Sequence, residues 1–147
     1  RHISQISKVK HRYLYQYDEL GYNYRLPNIN CALGLAQIIN LKKILKMKRN
    51  VYLNYKNLFK NFSFLKLFKE PKNSKSNYWL QTIILNSPEL NTRNKILEKT
   101  NYNKISTRPV WQLLDSISYL KNCPKMNLKN SKNLEKRIIN IPSSPNI

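Results

Sequence analysis

The spacing of apolar positions changes along the chain, and each change marks an element. From Ile29 to Ile39 nearly every position is apolar or small, with Cys31, Ala32, Gly34 and Ala36 set among Leu and Ile. Hydrophobicity all round predicts a helix buried on most sides. Small side chains would let a partner come close, and Gly34 costs that helix about 1 kcal/mol relative to Ala. Asn28 is placed to cap it, because its side-chain oxygen can accept an orphan backbone N–H. Beyond Asn40 the apolar set thins to Leu41, Ile44, Leu45, Tyr52, Tyr55 and Phe59, with lysines between. That is one face at the 3.6-residue period. No Pro falls between Asn28 and Glu70, so one helix is expected to run to about Lys60. Some 30 residues span about 45 Å, enough to leave one domain and enter another.

After that helix the pattern turns short and β-like. Phe62–Phe68 reads as a strand, and Glu70–Asn77 as a polar loop. Tyr78–Leu85 is the best strand in the chain, aromatic and β-branched. Asn91 or Thr92 opens a short helix with Ile96 and Leu97 on its apolar side. Tyr102–Trp111 reads as a second strand leaving into a loop, with Pro109 stopping a central ladder so that Arg108 and Trp111 sit at a strand end. Ser116–Leu120 is ambiguous. Ser131–Arg137 is a helix capped by Ser131, and Ile138–Pro142 is a last short strand, ended by Ser143-Ser144-Pro145. The order from residue 63 is β, β, α, β, α, β, a mixed sheet covered by helices.

Upstream, Ile3, Ile6 and Val9 could finish a helix. Tyr17–Asn28 is polar, aromatic and irregular, and holds Gly21, one of two glycines in the chain. His2 and His11 have no catalytic partner in the sequence. Nor is there a Gly-rich phosphate loop, a usefully spaced carboxylate pair or a Ser/His/Asp order. Pattern alone gives a mixed α/β domain of unread function.

Composition adjusts this picture modestly. The chain has 147 residues, 41% of them hydrophobic, enough for a real core. No run of about 18 apolar residues occurs, so no membrane span is expected. The chain starts at Arg1 without a charged-then-apolar leader, which reads as a piece of a longer protein with no secretory signal. Lys and Arg number 27 against 7 Asp and Glu, a formal charge of +20. That balance points toward nucleic acid or an anionic surface. The basic residues are spread out, however, and Lys, Asn, Ile and Tyr are abundant together, as A/T-rich codons would give. A solvated Lys-rich surface accounts for most of the charge, with a share left for an anionic ligand. Cys31 and Cys123 lack metal spacing, so no metal site is expected. Cys31 reads as a buried small residue, and the lack of a disulfide pattern fits a reducing cytoplasm.

Gly21-Tyr22-Asn23-Tyr24-Arg25-Leu26-Pro27-Asn28-Ile29, followed by Ala32-Leu33-Gly34-Leu35-Ala36-Gln37, resembles the signature of the DegT-type (DegT/DnrJ/StrS) sugar-nucleotide aminotransferases. Ile105–Trp111, with its Thr107-Arg108-Pro109-Val110-Trp111, is similar to the run in the branch making amino sugars of the bacillosamine, legionaminic and perosamine kind. Ile141–Ser144 looks like that family's last strand. The resemblance implies the C-terminal portion of a type I, aspartate-aminotransferase-like fold dependent on pyridoxal 5'-phosphate. Residues 1–27 would end the large domain and carry a cofactor-contacting loop. Residues 28–61 would be a long interface helix, and 62–147 a small α/β domain.

The implied activity is transfer of an amino group, usually from glutamate, to a nucleotide-diphosphate-linked 4-keto sugar, for amino-sugar and surface-polysaccharide biosynthesis. The implied assembly is a cytoplasmic homodimer sharing its cofactor site across a twofold axis, with neither nucleic acid nor membrane as partner. By the same resemblance, the lysine anchoring the cofactor and the acid holding its ring nitrogen lie upstream of Arg1, so no catalytic residue is assigned in this chain. Asn23 would donate its amide to the cofactor phosphate of the neighbouring protomer, and Arg25 would add positive charge beside it. The plainer readings are a positive-φ turn residue for Asn23 and a surface ion pair for Arg25. Arg108 and Trp111 would face the sugar-nucleotide pocket; ordinary strand-end packing is the alternative. Where many relatives have a Leu-His pair this chain has Leu114-Asp115, which unsettles the identity of the sugar. A sugar dehydratase on the same scaffold and a basic nucleic-acid-binding module are the rival functions.

Overall fold

The computed structural model describes residues 7–24 and 26–145; His2, Ile3, Ile6 and Arg25 lie outside the described residues. Val9 belongs to no helix. It sits in a two-strand hairpin, β1 (Lys8–Val9) against β2 (Gln16–Tyr17), with Lys8 opposite Tyr17. At its tip His11 Nδ1 accepts the N–H groups of Tyr13 and Leu14, which makes His11 a turn former.

The predicted single helix is two. α1 spans Asn28–Ile39 and α2 spans Leu41–Phe59. They part at Asn40, whose backbone leaves the helical region (φ −94°, ψ 5°) and whose N–H tightens back onto Gln37 O at 3.1 Å. Asn favours such local side-chain bonds over helix continuation, and here its Nδ2 donates to Ala36 O at 3.3 Å. Asn28 does not cap α1. It is the first helical residue, and the carbonyl of Pro27 receives the Asn30 and Cys31 N–H groups. Pro27, the residue before the helix, is extended (φ −70°, ψ 160°), and no side chain caps α1.

The largest departure concerns burial. α1 buries no residue, and Cys31 is exposed rather than packed. Ile39 is 81% exposed, and nothing lies within 4 Å of where a Cβ on Gly34 would stand. The apolar pattern is real, but no surface that would cover it lies among the described residues.

From residue 65 on, the predicted β-β-α-β-α-β order holds. β3 (Leu65–Leu67), β4 (Gln81–Leu85), β5 (Arg108–Pro109) and β6 (Ile138–Ile141) form one sheet in the order β3-β4-β6-β5, antiparallel throughout and not the mixed sheet expected. Ile83 faces Leu67 on one side and Ile139 on the other. Alternate residues of β4, Gln81, Ile83 and Leu85, point inward, as the period of two requires. Ile83 and Leu85 join Leu65, Ile139, Ile141 and Leu97 of helix α3 (Leu90–Tyr102) in the core, with Tyr55 and Phe59 of α2 against them.

Several boundaries shift for local reasons. β4 begins at Gln81 because Tyr78 has φ 47°, which no strand residue adopts. Tyr102 ends α3 instead of opening a strand. The helix closes in a double turn, Lys104 N–H to Asn101 O and Ile105 N–H to Thr100 O, with Lys104 left-handed at φ 63°. That leaves two residues for β5, and Pro109 is tolerated because β5 is a sheet edge. Ser116–Leu120 falls across two short 3-10 turns, Leu114–Ser116 and Ser118–Leu120. Helix α4 (Lys129–Glu135) starts ahead of Ser131, where Asn127 Oδ1 takes the Lys129 N–H at 2.9 Å, so Ser131 is not its cap.

Candidate functional site

Asn23 lies in the irregular stretch between β2 and α1, where the side chains stand away from the core. Asn23 itself is exposed, as are Leu20, Tyr22, Tyr24 and Leu26. Tyr22 and Tyr24 stack on one another at 5.6 Å, which stiffens the segment from both sides of the asparagine. The positive-φ alternative for Asn23 fails: among the described residues the non-glycine positive φ values belong to Ser7, Asn73, Tyr78 and Lys104. An exposed primary amide on a stiffened loop is a suitable neutral donor for phosphate oxygens outside its own lobe.

Arg108 lies in β5 and Trp111 two residues past its end, and the two are held in different ways. Arg108 Nη1 donates to Asn101 Oδ1 at 3.0 Å and to Thr107 O at 3.1 Å. Thr107 is buried, and its hydroxyl meets Thr100 Oγ1 and Asn101 Nδ2. Arg108 therefore stitches the strand to the end of α3. Trp111 is stacked by Tyr15 at 5.4 Å and by Trp79 at 6.2 Å. The Tyr15 contact, and a Tyr13 hydroxyl bond to Glu98 Oε1 at 3.2 Å, fasten the β1–β2 hairpin to the lobe of residues 62–147.

Asp115, at the position where histidine is usual in the resemblance, turns toward α4. Its Oδ2 meets Lys132 Nζ at 3.4 Å, while Oδ1 is buried with no hydrogen-bond partner among the described residues. It forms one wall of an apolar cup of about 390 Å³ that also includes Leu114, Leu120 and Met126.

The feature that the sequence reading passed over is the loop from Glu70 to Trp79. Arg49 grips Glu70 with both terminal nitrogens, at 2.8 and 3.2 Å. The Ser76 N–H adds a third bond to Glu70 at 2.6 Å. Arg49 and then this amide hold the Glu70 carboxyl at a pKa of about 2, against 4.5 for an ordinary glutamate. Ser76 Oγ takes the Tyr78 N–H and Asn77 Oδ1 takes the Trp79 N–H. Tyr78 is buried face to face with Tyr52 at 4.3 Å, with the Arg49 guanidinium over its ring. The Trp79 carbonyl is bonded by Lys48 Nζ at 3.2 Å and by Ser143 Oγ at 3.0 Å. Lys48 also reaches Ser143 O, and burial lowers its pKa. The available signal was the Ser76-Asn77 pair, side chains that favour backbone-bonded turns over a strand.

Among the described residues no cluster of His, Cys, Asp or Glu could hold a metal ion, and no helix is long and apolar enough to cross a membrane. Comparison with known proteins places these features in a family frame. A family model described as the DegT/DnrJ/EryC1/StrS aminotransferase family matches residues 1–147. GDP-perosamine synthase of Escherichia coli O157:H7 is 33% identical over 137 residues, 90% of this chain and 35% of that protein. Among solved structures, Helicobacter pylori PseC, described as an aminotransferase involved in the biosynthesis of pseudoaminic acid, superposes with a TM-score of 0.72. Its identity is 20%, over 99% of this chain and 40% of that one. The E. coli GDP-4-keto-6-deoxy-D-mannose-3-dehydratase with bound hydrated PLP matches at TM-score 0.62 and 20% identity, over 88% of this chain and 34% of that one. At such identities the structural matches speak for the fold alone. The chain spans about a third of the length of the curated relative it matches at 33% identity.

Proposed function

We propose, for a chain that belongs to the DegT/DnrJ/EryC1/StrS aminotransferase family, that it forms the C-terminal part of a sugar aminotransferase. In this reading the complete protein works as a homodimer with pyridoxal 5'-phosphate. It moves the amino group of glutamate onto the carbonyl carbon of a nucleotide-diphosphate-linked 4-keto sugar. The carrying observation is that the family signature, Gly21–Gln37, coincides with the stretch whose apolar side chains lie bare. A segment meant for its own lobe would be covered; this one is built to be covered by another surface.

The cofactor, when bound, supplies an electron sink and carries the amino group between donor and acceptor. This chain's part is to hold and to position. Asn23 fits a phosphate because it is an exposed residue whose amide can donate and carries no charge needing compensation. Arg25 is assigned beside it by the family motif. Arg108 and Trp111 border the substrate pocket, Arg108 by bracing β5 and Trp111 through its stack. Residues 1–27, 28–61 and 62–147 keep the roles of loop, interface helix and small domain.

The test is spectroscopic and uses the complete protein. The account expects a bound-cofactor absorbance that glutamate bleaches and a keto-sugar nucleotide restores. A complete protein that binds no cofactor removes the assignment. The dehydratase reading shares the scaffold; a complete protein whose anchoring lysine is replaced, and which eliminates water without passing on the amine, selects it instead.

A further inference from the structure

Among the described residues Arg93, on α3, is the one charged side chain that is buried, at 6% exposed. A guanidinium taken out of water needs a compensating charge or a full set of hydrogen bonds. Arg93 has neither. Its Nε and Nη2 both donate to Asn94 Oδ1, at 3.2 and 2.9 Å, and its Nη1 donates to the Glu135 carbonyl. The last bond closes the C-terminal end of α4, where a cation suits the exposed carbonyls. One N–H on each terminal nitrogen is left without an acceptor among the described residues. No carboxylate among them forms an ion pair with Arg93. Burial accordingly pushes its pKa below that of an ordinary arginine.

Arg93 lines a pocket of about 200 Å³ where the β1–β2 hairpin, the exit of β5 and the end of α4 meet. Leu14, Pro109, Val110 and Glu135 line it as well. The Tyr15–Trp111 stack fastens the hairpin there. The Glu135 carboxylate is near enough to favour the arginine's charge without pairing with it. The pocket thus offers a cation and an anion that do not neutralise one another by contact. Glu135 disfavours a multiply charged anion, and Arg93 disfavours a plain cation. A molecule carrying both charges satisfies both. The space is that of roughly seven water molecules, which an α-amino acid of modest size fills. Leu14, Pro109 and Val110 give its side chain an apolar wall, and a second carboxylate would stand unpaired beside Glu135.

We infer that this pocket binds a free aliphatic α-amino acid of the size of valine or leucine, its carboxylate on Arg93 and its ammonium on Glu135. The inference goes beyond amine transfer. The site disfavours an acidic amino acid, needs no cofactor and carries out no chemistry.

The experiment is calorimetric titration of the full chain, without cofactor, using L-leucine, L-glutamate, isocaproate (leucine without its amine) and isoamylamine (leucine without its carboxylate). Its outcome is therefore separate from that of the amine-transfer test. Leucine should bind. Each analogue lacking one charge should bind roughly tenfold more weakly or worse, as loss of a charge-assisted hydrogen bond does. Glutamate should also bind more weakly than leucine. Glu135→Gln should weaken leucine by a similar factor and strengthen isocaproate, and Arg93→Gln should remove leucine binding. Glu135 is only half-buried, so its variant keeps the test open if Arg93→Gln does not fold by near-UV dichroism. The inference is overturned if the folded chain ignores millimolar leucine, if leucine affinity ignores Glu135→Gln, or if isocaproate binds as tightly as leucine. Tighter binding of glutamate than of leucine also overturns it, and would give the pocket to an acidic amino acid.

Discussion

Helix α1 and the four-stranded sheet draw on the same apolar residues and end in opposite environments. Leu97 and Ile139 have no exposed surface, whereas Leu35 and Ile38 of α1 stand largely in solvent. In the sheet, β4 finds β3 and β6 within the chain, and α3 closes over them. Around α1 no covering surface lies among the described residues. A hydrophobic pattern reports that a segment is to be covered, and says nothing of which chain or lobe does the covering. One lobe satisfies itself; the other region, in the proposed reading, is an arm to be covered by a surface elsewhere.

The sharpest way to break this contrast is truncation in both places. Leu97→Ala or Ile139→Ala should cost about 2–5 kcal/mol in denaturant melts of the chain, from lost burial and the cavity left. Leu35→Ala and Ile38→Ala should change the same melts by no more than about 0.5 kcal/mol, the usual surface range. A core-sized penalty at Leu35 in this chain alone would end the distinction. The bare face should also make the chain self-associate. Leu35→Asp combined with Ile38→Asp is expected to shift sedimentation to the monomer without loss of helix or sheet signal; association that survives both charges would place the sticky surface elsewhere.

Acid sharpens the contrast from the other side. Glu70 has its pKa depressed in the folded state, so its contribution is complete above about 4.5 and is lost as pH falls from there toward about 2. Glu70→Gln should remove that part of the acid sensitivity, read as a flatter midpoint-against-pH curve between those values, and leave α1 unaffected. The smallest effect is a gain: Lys104→Gly relieves a left-handed lysine at the end of α3 and should add about 1 kcal/mol.

What the sequence made legible follows the same division. The β-β-α-β-α-β order could be read because each strand meets its partners within the chain, so local pattern and final burial agree. Burial of α1 and of Cys31 was misread because an apolar pattern does not say what covers it, and no covering surface lies among the described residues. The break at Asn40 escaped notice because no Pro or Gly announces it; one asparagine side chain bonding back to Ala36 O accompanies it. Of the proposed site, Asn23, Arg108 and Trp111 were nominated through family motifs, not through chemistry visible in their spacing. Trp79 looked like one more strand residue. Its exposure follows from the positive φ of Tyr78, which the stack on Tyr52 and the bonds from Ser76 and Asn77 sustain, and none of those contacts is a periodic signal.

The arm's purpose can be tested in one measurement on the complete protein. Subunits carrying Asn23→Ala are mixed and reassociated with subunits whose cofactor-anchoring lysine is replaced, each inactive alone, and amine transfer is assayed. If the amide serves the partner's cofactor, random pairing restores roughly a quarter of the activity, through the mixed dimers that keep one intact site. Activity that stays at the level of the separate variants would mean that Asn23 works within its own protomer, or not at all, and would contradict the account.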